Sequence, residues 1–203
     1  MQTCEYAGVP FTEPRSHPWV DAAGDPAGRY YDFTANPALI RRSLEDFRPW
    51  SGDPAIDAFY VLLEEINQPS SVFESNDCAF TGPHENDQPM VPMALQCSGR
   101  VMVLFRELRQ NTDHGRVETL KNQLHIALAE LDRDFPWGMI GTTIIPVRYL
   151  TLADRAEASL GFQLMISFWA WGDTATDNMT NLGRLFRNLT QALGTVAARV
   201  AQR

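Results

Sequence analysis

No apolar run in this chain comes near the roughly 20 residues needed to cross a bilayer. Its start, "MQTCEYAGVPFTEPRSHPW", has no basic segment leading into an apolar one. Neither a membrane association nor a secretory signal is expected. Cysteine is scarce: Cys4, Cys78 and Cys97 are odd in number, far apart, and spaced like neither a zinc framework nor a redox pair. A reducing cytoplasm suits them. Lysine is almost missing, since 16 of the 17 basic residues are arginine and Lys121 is the exception. Coding from a GC-rich, bacterial-type genome accounts for that bias more simply than selection for planar anion contacts does. A positive surface is also lacking: the net charge is −8, and nucleic-acid binders carry a basic footprint. The glycine stretches "GDPAG" and "GMIG" have neither the lysine nor the strand–turn–helix setting of a phosphate loop.

The charge that is present is uneven. Residues 1–90 hold 15 acids and 5 bases, whereas residues 91–203 hold 10 acids and 12 bases. An acidic half packed on a more basic half would produce this pattern, and so would a docking face for a basic partner. With 203 residues, 44% of them apolar, the chain can bury one sizeable core, and a single domain over 1–203 is expected.

Three zones follow from local pattern. Residues 1–35 lack helical period but contain Phe11, Trp19, Tyr30, Tyr31 and Phe33, too many aromatics for a disordered tail. They predict an irregular arm wrapping the domain. Short helices are expected over 36–68, where Asn36–Pro37 and Asp53–Pro54 each pair a capping side chain with a proline in the first turn. From residue 71 the order is strand, strand, helix, strand, strand, helix. The strands are "SVFESNDCAF", "MALQCSGRVMVLFREL", "MIGTTIIPVRYLTL" and "SLGFQLMISFWAWG", with the last two joined across "ADRAEA". The helices span about 115–134 and 174–201. Pro146 predicts an edge or bulge. Consecutive hairpins give an α+β fold: a mostly antiparallel sheet with two long helices on one face.

Candidate chemistry concentrates in "FESNDCAFTGPHEN", which holds Asp77, Cys78, His84 and Glu85. Strict alternation along 72–80 puts Phe73, Ser75, Asp77 and Ala79 on one face and Val72, Glu74, Asn76, Cys78 and Phe80 on the other. Asp77 and Cys78 then cannot act as neighbours. Cys78 reads as a small buried apolar group, because nearby acids oppose its thiolate. With Asp87 the stretch offers metal-ligand types, but "HE" lacks a second histidine four residues on, and "TGPHENDQP" is turn chemistry. No metal and no cofactor are expected.

The last strand is the most informative. Opposite its apolar face stand Gln163, Met165, Ser167, Trp169 and Trp171, with no charge among them. The second strand likewise sets Met102 and Leu104 between Arg100 and Arg106. This second sheet face must be covered by the N-terminal segment, by another subunit in a possible homodimer, or by a ligand. Trp169, Trp171, Met165, Arg100 and Arg106 are therefore the candidate binding residues. The sequence describes a soluble binding or protein-interaction protein of the cytoplasm, with no catalytic machinery evident. It has no nucleic-acid or membrane partner in view. Two alternatives stand beside it. One is an enzyme with a site in 74–87 assisted by His84, His114 or His125. The other is an acidic protein that neutralises a basic protein partner.

Overall fold

The computed structural model describes residues 1–5, 15–17, 32–152 and 159–201. Its strands are β1 (Gln2–Glu5), β2 (Arg15–His17), β3 (Phe73–Glu85), β4 (Leu95–Phe105), β5 (Gly138–Tyr149) and β6 (Ser159–Gly172). Its α-helices are α1 (Ile40–Ser43), α2 (Pro54–Asn67), α3 (His114–Glu130) and α4 (Ala175–Ala201). The architecture is α+β, with one mixed, mostly antiparallel sheet in the order β1-β5-β6-β4-β3.

Helix starts follow the capping chemistry written in the sequence. The Asp53 carboxylate accepts from the Ala55 N–H at 2.8 Å and the Asp113 carboxylate from the Gly115 N–H at 2.9 Å. Thr174 accepts from the Asp177 N–H at 3.1 Å. Each bond satisfies a donor that the helix cannot pair internally. The Asn36 segment departs from expectation. It forms a 3-10 turn at Pro37–Leu39, the single turn of α1, and a second 3-10 stretch at Glu45–Trp50; the Asn36 side chain makes no cap bond. Leu44, at ψ 89°, breaks the helix. The bend lets Phe47 stack between Phe59 at 4.4 Å and Phe80 at 5.0 Å.

The main core lies between the sheet and α2, α3 and α4. Phe59, Phe168 and Phe186 meet there with ring centroids 4.8 to 6.2 Å apart. Each buried ring contributes roughly 1.5–3 kcal/mol through removal from water. Gly99 makes room for one of them: a Cβ on it would run into the Phe168 ring and the Ala79 carbonyl.

One expectation about the chain's first part needs correction. Residues 2–5 and 15–17 are not irregular but form β1 and β2, both parallel to the outer edge of β5. β1 takes Met139–Thr142 and β2 takes Val147–Tyr149. The unpaired edge of β5 supplies the backbone groups that order them, and Pro146, which has no N–H to donate, lies between the two stretches. Phe33 is buried, whereas Phe11, Trp19, Tyr30, Tyr31 and the "ADRAEA" connection lie outside the described residues.

β3 is also longer than expected and carries two register shifts, between Ser75 and Asp77 and between Thr81 and His84. Pro83 falls inside the second. The extra residue at Asn76 breaks the alternation read from the sequence. Phe73 and Ser75 pair with Phe105 and Val103, but beyond the bulge Cys78 pairs with Val101 and Phe80 with Gly99. The helix side therefore receives Phe73, Ser75, Cys78 and Phe80. The opposite side receives Glu74, Asp77, Ala79 and Thr81.

That opposite side is concave. His17 of β2 approaches Glu74 of β3 at 3.3 Å, although the two strands sit at opposite edges of the sheet. Asn76 donates to Gln163 at 2.9 Å, and its amide nitrogen is 3.3 Å from His17 Nδ1. The sheet thus curls until its edges meet through side chains. Leu104, Val147 and Tyr149 fill the curl at this end, and Met102, Ile145 and Met165 fill its middle. Gly161 permits the bend, because a Cβ there would come within 2.7 Å of both the Tyr149 ring and the Asn111 carbonyl.

At the end of α3, Asp132 adopts φ 47°, the left-handed conformation that closes many helices. Its carboxylate holds Arg184 and accepts from Asn188 at 2.9 Å, while its carbonyl accepts from the chain's N-terminus at 2.6 Å. The bond from Arg184 keeps the Asp132 carboxyl below its ordinary value of 3.8. The stabilisation is complete above that pH and disappears as pH falls through the lower folded value. Asp132→Asn tolerates the same backbone conformation. Urea midpoints should show this variant less stable than wild type at pH 7, with the gap narrowing as pH falls below 3.8. A gap independent of pH would mean that the carboxylate charge contributes nothing.

Candidate functional site

Among the described residues the concave face is closed at the His17 end and open at the other. At the open end a cleft of about 500 Å³ crosses β6, β4 and β3. Cross-strand pairing builds its floor in rows. The row at its inner end sets Asp77, Met102 and Met165 side by side, and of these Met165 lines the cleft. The next sets Ala79, Arg100 and Ser167 side by side, and the third Thr81, Ser98 and Trp169. Asp46, from the turn packed on β3, flanks the opening. The rows exist because the bulge at Asn76 brings Asp77, Ala79 and Thr81 onto this face.

Three of the candidate binding residues, Met165, Arg100 and Trp169, line this one cleft. The Arg100 guanidinium faces the Asp77 carboxylate at 3.3 and 3.4 Å. Ser167 is only 6% exposed, lines the cleft, and has no side-chain hydrogen bond among the described residues. The other two candidates lie elsewhere. Trp171 is 2% exposed in the adjoining row beside Gln96, and its indole N–H has no partner among the described residues. Arg106 donates to the carbonyls of Gln68 at 2.9 Å, Pro69 at 3.3 Å and Phe73 at 3.4 Å. It fastens the end of α2 to the start of β3, and nothing in its position relates it to the cleft. Of the expected N-terminal cover, His17 of β2 meets Glu74 across this face, and the rest of that segment's cover lies outside the described residues.

The stretch 73–86 is not a single site. Asp77 and Cys78 face opposite sides of the sheet, as alternation requires. Burial first, and then the Asp77 charge, push the Cys78 thiol up. His84 belongs to a different arrangement: its Nδ1 meets the Gly82 carbonyl at 2.8 Å and its Nε2 the Gln96 amide nitrogen at 3.1 Å. The same Gln96 nitrogen donates to Asp87 at 2.8 Å and holds that carboxyl below its usual range. Glu85 is exposed at the end of β3.

The other histidines are committed at separate places. His125 Nε2 is 2.7 Å from Thr142 Oγ1, and desolvation lowers its pKa. His114 packs edge-on against Phe162 near Glu118. No histidine is brought beside Cys78, and Asp77 meets the Arg100 guanidinium. Among the described residues no group of three or more His, Cys, Asp or Glu side chains is placed to hold a metal ion. No helix among them is long and apolar enough to cross a membrane.

Sequence reading missed three contributors. His17 carries no signal in "SHPWV", since its role depends on a long-range strand pairing. Ser98 and Ser167 look like ordinary strand serines, and their shared position appears only once β4 and β6 are aligned. Comparison of the chain with protein families, with curated proteins and with solved structures finds no match.

The thiols give a direct check on this geometry. All three cysteines are outside disulfides. Burial raises the Cys4 thiol, and pushes Cys97 up to about 12. Only the thiolate reacts readily. Titration of the native protein at pH 7.5 with a disulfide reagent should leave Cys78 and Cys97 unmodified until urea unfolds the chain. Rapid modification of Cys78 in the folded protein would mean that its side of β3 is open.

Proposed function

We propose that this is a binding protein that takes a small polar ligand in the cleft at the open end of the concave sheet face. The observation that carries this reading is the convergence of Arg100, Ser167 and Trp169 on one cleft of about 500 Å³, next to a stretch of the same face that is fully buried. Ligand sites are typically concave, within roughly 300–1,000 Å³, with a few polar groups aimed inward. A hydroxyl that lines a cleft can both donate to and accept from a ligand. Preformed secondary structure supports every floor residue, so the cleft needs no rearrangement to be shaped.

A small ligand is favoured over a protein partner because large exposed apolar side chains are scattered. Among the described residues, the large exposed apolar side chains are Val61, Met90, Ile126 and Leu160, on four different segments. Two of the three acidic residues of α2 are likewise engaged locally, with Arg41 bridging Asp57 at 3.1 Å and Glu64 at 2.7 Å. We place the protein in the cytoplasm, since three cysteines without a disulfide suit a reducing compartment.

The reading is tested by a thermal-shift screen of small polar metabolites against wild type and Ser98→Val. A compound bound only by the native state raises the melting temperature in proportion to its occupancy. Compounds that stabilise wild type should lose most of their effect in the variant. Equal shifts in both proteins would place binding elsewhere.

A further inference from the structure

We infer that the chain holds a second binding site, apart from the cleft, for a small monocarboxylic acid with an apolar body and a hydroxyl at its far end. The site is a pocket of about 340 Å³ between the 3-10 turn Leu108–Thr112, α3 and the end of α4. It shares no lining residue with the cleft, so it stands or falls apart from the reading of that cleft.

Helix α3 supplies one wall. Arg116, Thr119, Leu120 and Gln123 stand at positions i, i+3, i+4 and i+7, so they share one face of the helix. The first and last of them are separated by roughly 10 Å along its axis. Phe105 and Leu120, both buried, and Val200 of α4 supply the apolar surface.

Arg116 sets the charge of the ligand. It is the one charged residue that lines the pocket. Its Nη1 donates to Gln110 Oε1 at 3.2 Å, and it makes no ion pair among the described residues. Gln110 in turn donates to Glu107 at 2.6 Å, which holds its amide in place. A guanidinium carries five donors in a planar fork that matches a carboxylate. An ammonium ligand would meet that charge with no lining acid to offset it. Inorganic phosphate would leave the apolar surface uncovered.

Gln123 sets the far end. Its Oε1 is buried without a hydrogen-bond partner, and its amide nitrogen makes no hydrogen bond among the described residues. The last torsion of a glutamine is broad, so either amide atom can turn to a ligand. A hydroxyl both donates and accepts, and so satisfies either orientation. Thr119 does not compete for it as a donor, because its hydroxyl donates to the Gly115 carbonyl at 2.8 Å.

The test is saturation-transfer difference NMR on the full chain, with affinities from titration. The probes are 4-hydroxyphenylacetate and 6-hydroxyhexanoate. Phenylacetate, which lacks the hydroxyl, 4-hydroxyphenylacetamide, which lacks the charge, and tyramine, which reverses it, run alongside. At least one hydroxy acid should bind, and 4-hydroxyphenylacetamide and tyramine should bind more weakly than 4-hydroxyphenylacetate. Arg116→Gln should weaken the bound acid about tenfold or more, the loss of a charge-assisted contact. Gln123→Met should bring 4-hydroxyphenylacetate down to the level of phenylacetate. Both variants are checked for native melting behaviour, and Arg116→Gln, at an exposed position, stands alone if Gln123→Met fails to fold. Ser98→Val should leave these affinities unchanged. Binding of neither acid, equal binding of tyramine, or affinities that Arg116→Gln does not alter would overturn the site. Loss of binding in Ser98→Val alone would move the acid to the cleft, overturning this site while keeping the functional reading of the cleft.

Discussion

One extra residue in one strand sets the geometry of this molecule. Asn76 has no partner on β4, and its insertion shifts the facing of everything that follows in β3. Without it, Phe80 would point away from the aromatic core and Asp77 would point into it. An uncompensated carboxylate against Phe59 and Phe168 would cost several kcal/mol. With it, Phe80 stacks on Phe47 and Asp77 meets Arg100 on the other side. A bulge also sharpens the local twist of the strand that carries it. The displaced Asn76 reaches across to Gln163, and the sheet edges come together at His17 and Glu74. Concavity, the buried middle and the open cleft all descend from that curl.

The curl explains a composition that a flat sheet could not carry. A flat antiparallel sheet with helices on one side shows charge and polar groups to water on the other. Here Met102, Met165, Ile145, Leu104, Val147 and Tyr149 are buried on that other side of the curled sheet. The polar groups that share the face are paired across strands, as Asn76 with Gln163 and Tyr149 with the Phe162 carbonyl at 2.8 Å. Where the curl opens, pairing is less complete, and Ser167 is left without a side-chain partner among the described residues. The same opening places Trp169, half-buried, beside these hydroxyls.

Much of this was legible in the sequence, and the failures have physical causes. The ββαββα order, the caps at Asp53 and Thr174 and the apolar helix stripes are local signals, and they match the structure because local signals decide them. The absence of charge opposite Phe162, Leu164 and Ile166 correctly marked the second face as covered. β1 and β2 left no trace, since segments as short as "QTCE" and "RSH" become strands only when the edge of β5 is offered to them. The bulge was invisible because "FESNDCAF" alternates plausibly in either register. Arg100 and Arg106 flank the same two residues and look equivalent. Tertiary placement makes one a cleft residue and the other a clasp on the carbonyls of Gln68, Pro69 and Phe73.

The central claim is that the second sheet face is sealed at one end and open at the other. Hydroxyl-radical footprinting of the native protein, read by mass spectrometry at methionine and tryptophan, tests it most directly. Met90 is 91% exposed and serves as the internal reference, whereas Met102 is fully buried and Met165 and Trp171 are nearly so. The account predicts rapid oxidation of Met90, an intermediate rate at Trp169, and protection of Met102, Met165 and Trp171 until the chain unfolds. Oxidation of Met102 and Met165 at the rate of Met90 would contradict it, because the curl would then not exist in solution.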